Sequence, residues 1–391
     1  MTPKSKTLKN NALMALAAAA SLPLSSQAEV TPEDHIVAYR YSQYSEDDNP
    51  RERTITPETG RYDIEVHQFR HARPLGEDWY IDGQMQYETL SGASPLQTYE
   101  EDGKSVLVTS GATIDEQRFD LKVSPKRYFD EGTLGGTLAY STENDYESIA
   151  LGADGSLELF DKHTTLLASF SASYDTLSPT DIDEFPTREE FDGKNKRIVS
   201  LYQGVSQVID KNRVIQIGAG LTHLSGYLSD PYKTFDQRPD ERDQFTISTL
   251  YRHFFKVGDG AALHADYRLY ADDWGVSSHT ITARWAQSFN TSSVQFLVTP
   301  LVRYYRQTEA DFYTLERFPA GEHFSSDSRL SAFGAITLGL DSRVQWQNWT
   351  LSLDMQYYTS DEDLGLIETS DTETPSLLTY TILSFGTEYR Y

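Results

Sequence analysis

The sequence predicts an all-β protein: a single transmembrane, up-and-down antiparallel β-barrel of about 16 strands with long acidic external loops. Three observations predict it. Segments of about 10–14 residues alternate apolar with polar side chains, which is the period of a strand. The connections between them alternate between short and long, the pattern of periplasmic turns and external loops. The chain ends on a strand with aromatic residues at its tip, Tyr389 and Tyr391.

The N-terminus reads as a processing signal. Lys4, Lys6 and Lys9 precede the alanine-rich apolar stretch from Ala12 to Leu24, and Ser26-Gln27-Ala28 fits the small-x-small rule for cleavage. We therefore expect a signal peptide over residues 1–28 and a barrel over 29–391. The first strand is predicted near 35–45 and the last near 377–391. Leu166, Ala168, Phe170, Ala172 and Tyr174 alternate with small polar residues. Leu351, Leu353, Met355 and Tyr357 share one face; Thr350, Ser352, Asp354 and Gln356 share the other. Segments 146–159 and 196–209 alternate less regularly. Turns are predicted at Leu75-Gly76-Glu77-Asp78, Phe160-Asp161-Lys162-His163 and Gln347-Asn348, among others. Long polar connections fall near 46–60, 92–114, 179–195, 228–241, 309–329 and 361–376, with two short ones near 143–146 and 273–276. Ser384, Gly386, Tyr389 and Tyr391 match the C-terminal pattern by which barrels are inserted, which implies the barrel assembly machinery as a partner. The 25 tyrosines suit rings anchored at both membrane interfaces.

Composition excludes several alternatives. The longest apolar run is far short of the roughly 20 residues that a membrane helix needs. The chain has no cysteine, so disulfides, cysteine-ligated zinc, iron–sulfur clusters and thioether-attached haem are ruled out. With 59 acidic against 34 basic residues the net charge is −25, which disfavours nucleic acid as a partner. Acidic runs such as Glu100-Glu101-Asp102 and Asp361-Glu362-Asp363 fall in predicted external loops. There they would be solvated and bridged by divalent ions to lipopolysaccharide. The expected location is the outer membrane of a Gram-negative cell.

Side chains on the polar faces would line the lumen. By parity, Arg252, Arg268, Arg284 and Arg303 point inward from four successive strands, while Asp63, Glu65, Asp82, Glu88 and Asp120 offer acids from early strands. Opposed walls of this kind would orient dipolar solutes. His67 shares a face with Asp63 and Glu65, and His264 shares one with Asp266 and Arg268. Both sets read first as lumen hydrogen-bond networks, and no metal site, cofactor or catalytic residue is assigned. The segment 92–114 is the best candidate for an inward plug, because Val106, Leu107 and Val108 would otherwise be exposed.

Several strings resemble a bacterial family known as domain of unknown function 3570. They are Leu90-Ser91-Gly92-Ala93-Ser94-Pro95, Ser229-Asp230-Pro231-Tyr232-Lys233 and Arg238-Pro239-Asp240-Glu241-Arg242. The stretch from Tyr267 to Trp274 and Gly275, with Ser278-His279-Thr280 beyond it, and Arg303-Tyr304-Tyr305-Arg306-Gln307 with Ala310-Asp311-Phe312-Tyr313, extend the likeness over roughly 85–315. The resemblance implies an outer-membrane barrel without an assigned activity. Its members are often encoded beside flavin-attaching transferases and small lipoproteins, an association with extracytosolic redox work.

Three functions compete. A channel or transport-like pore for small hydrophilic solutes predicts an open lumen. A barrel that sheathes or docks a periplasmic redox partner or lipoprotein predicts an occupied one. A structural or adhesive barrel predicts a plugged lumen and indispensable loops. An enzyme ranks last.

Overall fold

A computed structural model describes residues 32–57, 59–110, 114–179, 186–365 and 374–391. The signal peptide expected over 1–28 lies outside the described residues. Eighteen strands follow one another in the described chain. They begin with β1 (Ile36–Glu46), β2 (Asp63–Leu75), β3 (Trp79–Gly92), β4 (Pro95–Glu101), β5 (Lys104–Thr109) and β6 (Ile114–Phe129). Next come β7 (Gly132–Glu143), β8 (Tyr146–Leu159), β9 (Thr164–Leu177), β10 (Asn195–Asp210), β11 (Arg213–Gly226) and β12 (Glu241–Phe255). The last six are β13 (Ala261–Asp272), β14 (Ser277–Asn290), β15 (Val294–Gln307), β16 (Phe333–Trp346), β17 (Trp349–Asp361) and β18 (Thr379–Arg390).

Sixteen of these close a single antiparallel barrel, in which β3 pairs directly with β6. The remaining two, β4 and β5, form a separate hairpin within the predicted plug segment. Closure is complete along β1, which pairs with β18 from Ile36↔Arg390 to Glu46↔Tyr380. A Ser42–Ser384 hydroxyl bond of 2.8 Å lies on the lumen side of that seam. Closing the sheet leaves no unpaired edge, and this is what lets a β structure cross hydrocarbon. The connections at the end carrying both termini are short turns. Gln347, at φ 51°, makes one of them in two residues. The connections at the opposite end are mostly long. We call these the turn end and the loop end.

The outer face is apolar. Leu351, Leu353, Met355 and Tyr357 are exposed there, while Ser352, Asp354 and Gln356 turn inward. Rings gather at the turn end, where Trp349 packs on Tyr389 at 4.7 Å and Tyr389 on Tyr391 at 5.8 Å. Tyr391 also exchanges backbone hydrogen bonds with His35. Tyr389 and Tyr391 of the C-terminal pattern are therefore part of this ring cluster, while Ser384 and Gly386 face the lumen.

Strand β2 departs from the parity reading. Ile64 and Val66 are buried inside the barrel, and Asp63 and Glu65 are exposed on its outer face near the loop end. His67 goes with them; Tyr39 bonds its ring nitrogen at 2.8 Å, and Tyr41 packs on the ring at 5.2 Å. The expectation that Asp63 and Glu65 are lumen acids is thus corrected. The physical cause is a loop that packs inside the barrel and turns the local lumen wall apolar.

Candidate functional site

The site is the lumen and the cover over its loop end. Tyr232, from the loop between β11 and β12, enters the barrel and packs on Tyr44, Tyr62, Ile64, Val66 and Leu90. These side chains form a small hydrophobic core within the barrel mouth, which explains why β2 and β3 turn apolar residues inward. The hairpin β4–β5 lies among the loops rather than in the wall. Leu107 is fully buried there and Val106 and Val108 are half-buried, as expected of a tucked segment.

The hairpin bonds to loops from widely separated parts of the chain. Leu107 exchanges backbone bonds with Arg53 and Ile55, at 2.7 and 3.0 Å. Glu100 N–H donates to Leu315 O at 2.8 Å, and Thr98 N–H donates to Ser326 Oγ at 3.1 Å. The Thr98 hydroxyl meets Ser376 Oγ at 3.3 Å. Thr234 N–H donates to Leu96 O at 3.0 Å, and Lys233 Nζ to Pro95 O at 3.1 Å. Four long loops thus meet on one hairpin.

The residues singled out by resemblance sit in this cover. Gly92 has φ +135°, and a Cβ there would lie 2.1 Å from Arg61 O, so only glycine fits. Ala93 and Ser94 are buried, and the Tyr62 hydroxyl donates to Ser94 Oγ at 2.5 Å. Trp274 is buried against Val276, Ala310 and Leu330, and its indole N–H donates to Glu241 O at 2.9 Å. Gly275, at φ +88°, leaves room for the Asp311 carboxylate, which a Cβ would approach to 2.3 Å. Pro231 joins Asp230 and Tyr232 in the inserted turn. His279 is different: it lies half-buried on the outer wall, its ring nitrogen 2.8 Å from the Tyr267 hydroxyl.

An ionic cluster built on three buried carboxylates ties the same loops together. Arg238 binds Asp236 at 2.8 Å and Asp327 at 2.9 Å, and Arg329 binds Asp327 and also Asp230 at 3.3 Å. Burial acts to raise Asp327, but Arg329, Lys233 and Arg238 outweigh it and hold its carboxyl well below the usual range. Burial pushes Asp230 up despite Lys233 and Arg329. Removing one partner of such a group strands a buried charge, at about 3–5 kcal/mol. Sequence reasoning missed this cluster. Its traces were Asp230 and Arg238, each within a string quoted for resemblance.

Below the cover the wall is polar. Arg252, Arg268, Arg284 and Arg303 all face inward. Arg252 and Arg284 share Asp266, the latter at 2.9 Å, and Arg303 donates to Thr282 Oγ1 at 3.2 Å. Arg268 is exposed to the interior, opposite Ser248 and Thr280. Four guanidiniums against one carboxylate leave this sector basic. The opposing acids do not form a free wall. Asp82 is held by Arg70 at 2.7 Å and Asp120 by Arg118 at 3.0 Å; Glu88 is buried opposite Arg118. The predicted pair of walls is corrected to one basic sector facing acids that are ion-paired, as Asp82 and Asp120 are, or buried, as Glu88 is. His264 lines the same basic sector between Arg252 and Arg284 in register.

At the turn end the lumen holds a cavity of about 450 Å³. Arg40–Asp354, Arg343–Asp341 and Arg390–Glu388 line it as ion pairs at 3.8, 3.1 and 2.7 Å. A second hollow of about 520 Å³ is an outer-face groove beside His223 and Asp243 and is apart from the lumen.

Solved structures similar to the chain include three outer-membrane proteins. A structure described as a bacterial polysaccharide outer membrane secretin superposes with TM-score 0.50 at 8% identity, covering 91% of this chain and 98% of that one. CdiB from Acinetobacter baumannii gives 0.48 at 10% identity, over 91% of this chain and 60% of its own. Pseudomonas aeruginosa OccK3 gives 0.41 at 10%, over 92% and 95%. At such identities the first shows a shared fold and nothing more. No curated protein matches. A family model described as protein of unknown function, DUF3570, matches residues 6–373, well beyond the strings that suggested it, and the chain belongs to that family.

Proposed function

We propose that this chain is an outer-membrane channel for small hydrophilic solutes whose external mouth is covered by its own loops. The observation that carries the reading is the basic sector around the exposed Arg268, beneath a loop cover. A purely structural barrel has no use for an exposed guanidinium among three others in its interior. The loop end faces outward and the turn end faces the periplasm. Loop acids meet lipopolysaccharide, and the C-terminal strand is recognised by the barrel assembly machinery. The reading assigns no catalysis and no cofactor. Removing residues 95–109 tests it in a planar bilayer: the deletion should raise conductance above that of the intact chain.

One observation favours a second reading. The turn-end cavity presents three arginines and three acids where a periplasmic protein could dock. A lipoprotein or redox partner seated there would use the barrel as a sheath. An absence of conductance both in the intact chain and without the hairpin refutes the channel and leaves the docked barrel.

A further inference from the structure

The short connection between β7 and β8 brings together a cluster that neither the cover nor the pore explains. Carboxylate oxygens of Glu116, Glu143 and Asp145 lie within 4.8 Å of one another. Glu116 comes from β6, Glu143 ends β7, and Asp145 sits in the connection itself. Three oxygens at such separations fit around one ion with metal–oxygen distances of about 2.3–2.6 Å.

A second observation points to a cation. Glu88, on β3, is 1% exposed, and its Oε2 takes no hydrogen bond. In register Glu88 faces Arg118, and Glu116 lies two residues from Arg118 on the same strand face, so Glu88 is the diagonal neighbour of Glu116. Arg118 also faces Glu143 on its other side. It is engaged elsewhere, with Asp120 Oδ1 at 3.0 Å and Ser141 Oγ at 3.1 Å; Glu143 Oε1 is 3.7 Å away. Arg118 is thus shared with Asp120, Glu88 Oε2 stays unbonded beside it, and a buried carboxylate needs a cation or a proton. The donor set is oxygen alone, which favours calcium over the nitrogen- and sulfur-seeking metals.

We propose that Glu116, Glu143 and Asp145 hold a divalent cation of the calcium type, with Glu88 completing its negative surroundings. The ion clamps the β7–β8 connection to the wall. The Tyr232 hydroxyl donates to Asp145, so the clamp also fixes the loop that fills the mouth.

Terbium is the probe, because Tyr232 adjoins the site and can sensitise its emission. The mature chain is refolded in detergent free of lipopolysaccharide. Saturable terbium luminescence that calcium displaces, retained in the loop control Asp361→Asn/Asp363→Asn and lost in Glu143→Gln/Asp145→Asn, is the expected result. A wild-type chain without saturable luminescence overturns the proposal, as does a double variant that keeps it. If the double variant does not fold, the wild type decides alone. Its thermal unfolding should move upward in calcium relative to chelator, and indifference to calcium overturns the site.

Discussion

Replacing Leu353 by arginine tests the facing of the wall and the identity of its solvent together. Leu353 is 51% exposed on the outer face, paired with Ser342 and Phe385. It lies midway along β17 between the rings of Trp349 and Tyr357. At about 3.3 Å per residue and a tilt of about 40°, the stretch between those rings rises roughly 20 Å. That fits inside an apolar band of about 25 Å and puts Leu353 close to its middle. An arginine at the midplane costs about 2–4 kcal/mol, or roughly 30- to 1,000-fold in the folding equilibrium. Ser352, one residue away, lines the turn-end cavity with Asp354 and Glu388. An arginine there stays in the polar lumen, cross-strand from Arg343 but next to Asp354, and should cost far less than one facing hydrocarbon. Urea titration in phospholipid vesicles, read by tryptophan emission and by electrophoretic band shift, measures both. Equal losses at the two positions, or a larger loss at Ser352, would refute the assignment of faces and with it the membrane as the outer solvent.

Three further outcomes follow from the same structure. Neutralising Arg268 and Arg284 together with glutamine should move the reversal potential of the open, hairpin-deleted pore toward cation selectivity; an unchanged potential removes the basic sector from permeation. Tyr232→Ala removes a buried ring and its bond to Asp145, at about 3–5 kcal/mol; limited proteolysis should then cut within 95–109, and unaltered resistance would show that Tyr232 does not hold the cover. Asp327 titrates below its unfolded value, so its contribution is present above that value and is lost only as pH falls through the lower, folded one. Asp230 shifts the other way, so its protonation relieves the cluster instead of breaking it. Protease resistance of the cover should therefore persist from pH 7 to about pH 4, and a loss near neutrality contradicts the assignment.

The barrel was legible in the sequence because its signal is repeated. Alternation, turn chemistry and the closing aromatic strand agree sixteen times, and even segments 146–159 and 196–209 emerged as strands at nearly those bounds. Facing was legible wherever lipid lies on one side and water on the other, as along β17. It failed on β2, where both assumptions break. Ile64 and Val66 look lipid-facing but lie under Tyr232, and Asp63 and Glu65 look lumenal but reach the outer rim. A loop folded into a barrel replaces water with a hydrophobic core, and period two alone does not say which apolar solvent a residue meets. The tucked segment was visible through Leu107, whose exposure would have been costly. Its partners were not, because a pairing such as Thr98 with Ser376 spans most of the chain. The ionic cluster was hidden for the same reason. Asp236, Arg238, Asp327 and Arg329 read one by one as ordinary loop charges.

Cell-surface loops usually drift freely, gaining and losing residues under pressure from phage or antibodies. The hairpin β4–β5 removes much of that freedom here. Its edges are bonded to four other loops through Arg53, Thr234, Leu315 and Ser376. An insertion in any of them must be absorbed without shifting the shared partner. Variation should therefore concentrate at the hairpin tip, where Asp102 and Gly103 hold positive φ values of 53° and 73° with nothing packed above Gly103. Across relatives the loops should change length together or not at all, so that this end of the barrel evolves as slowly as an interior.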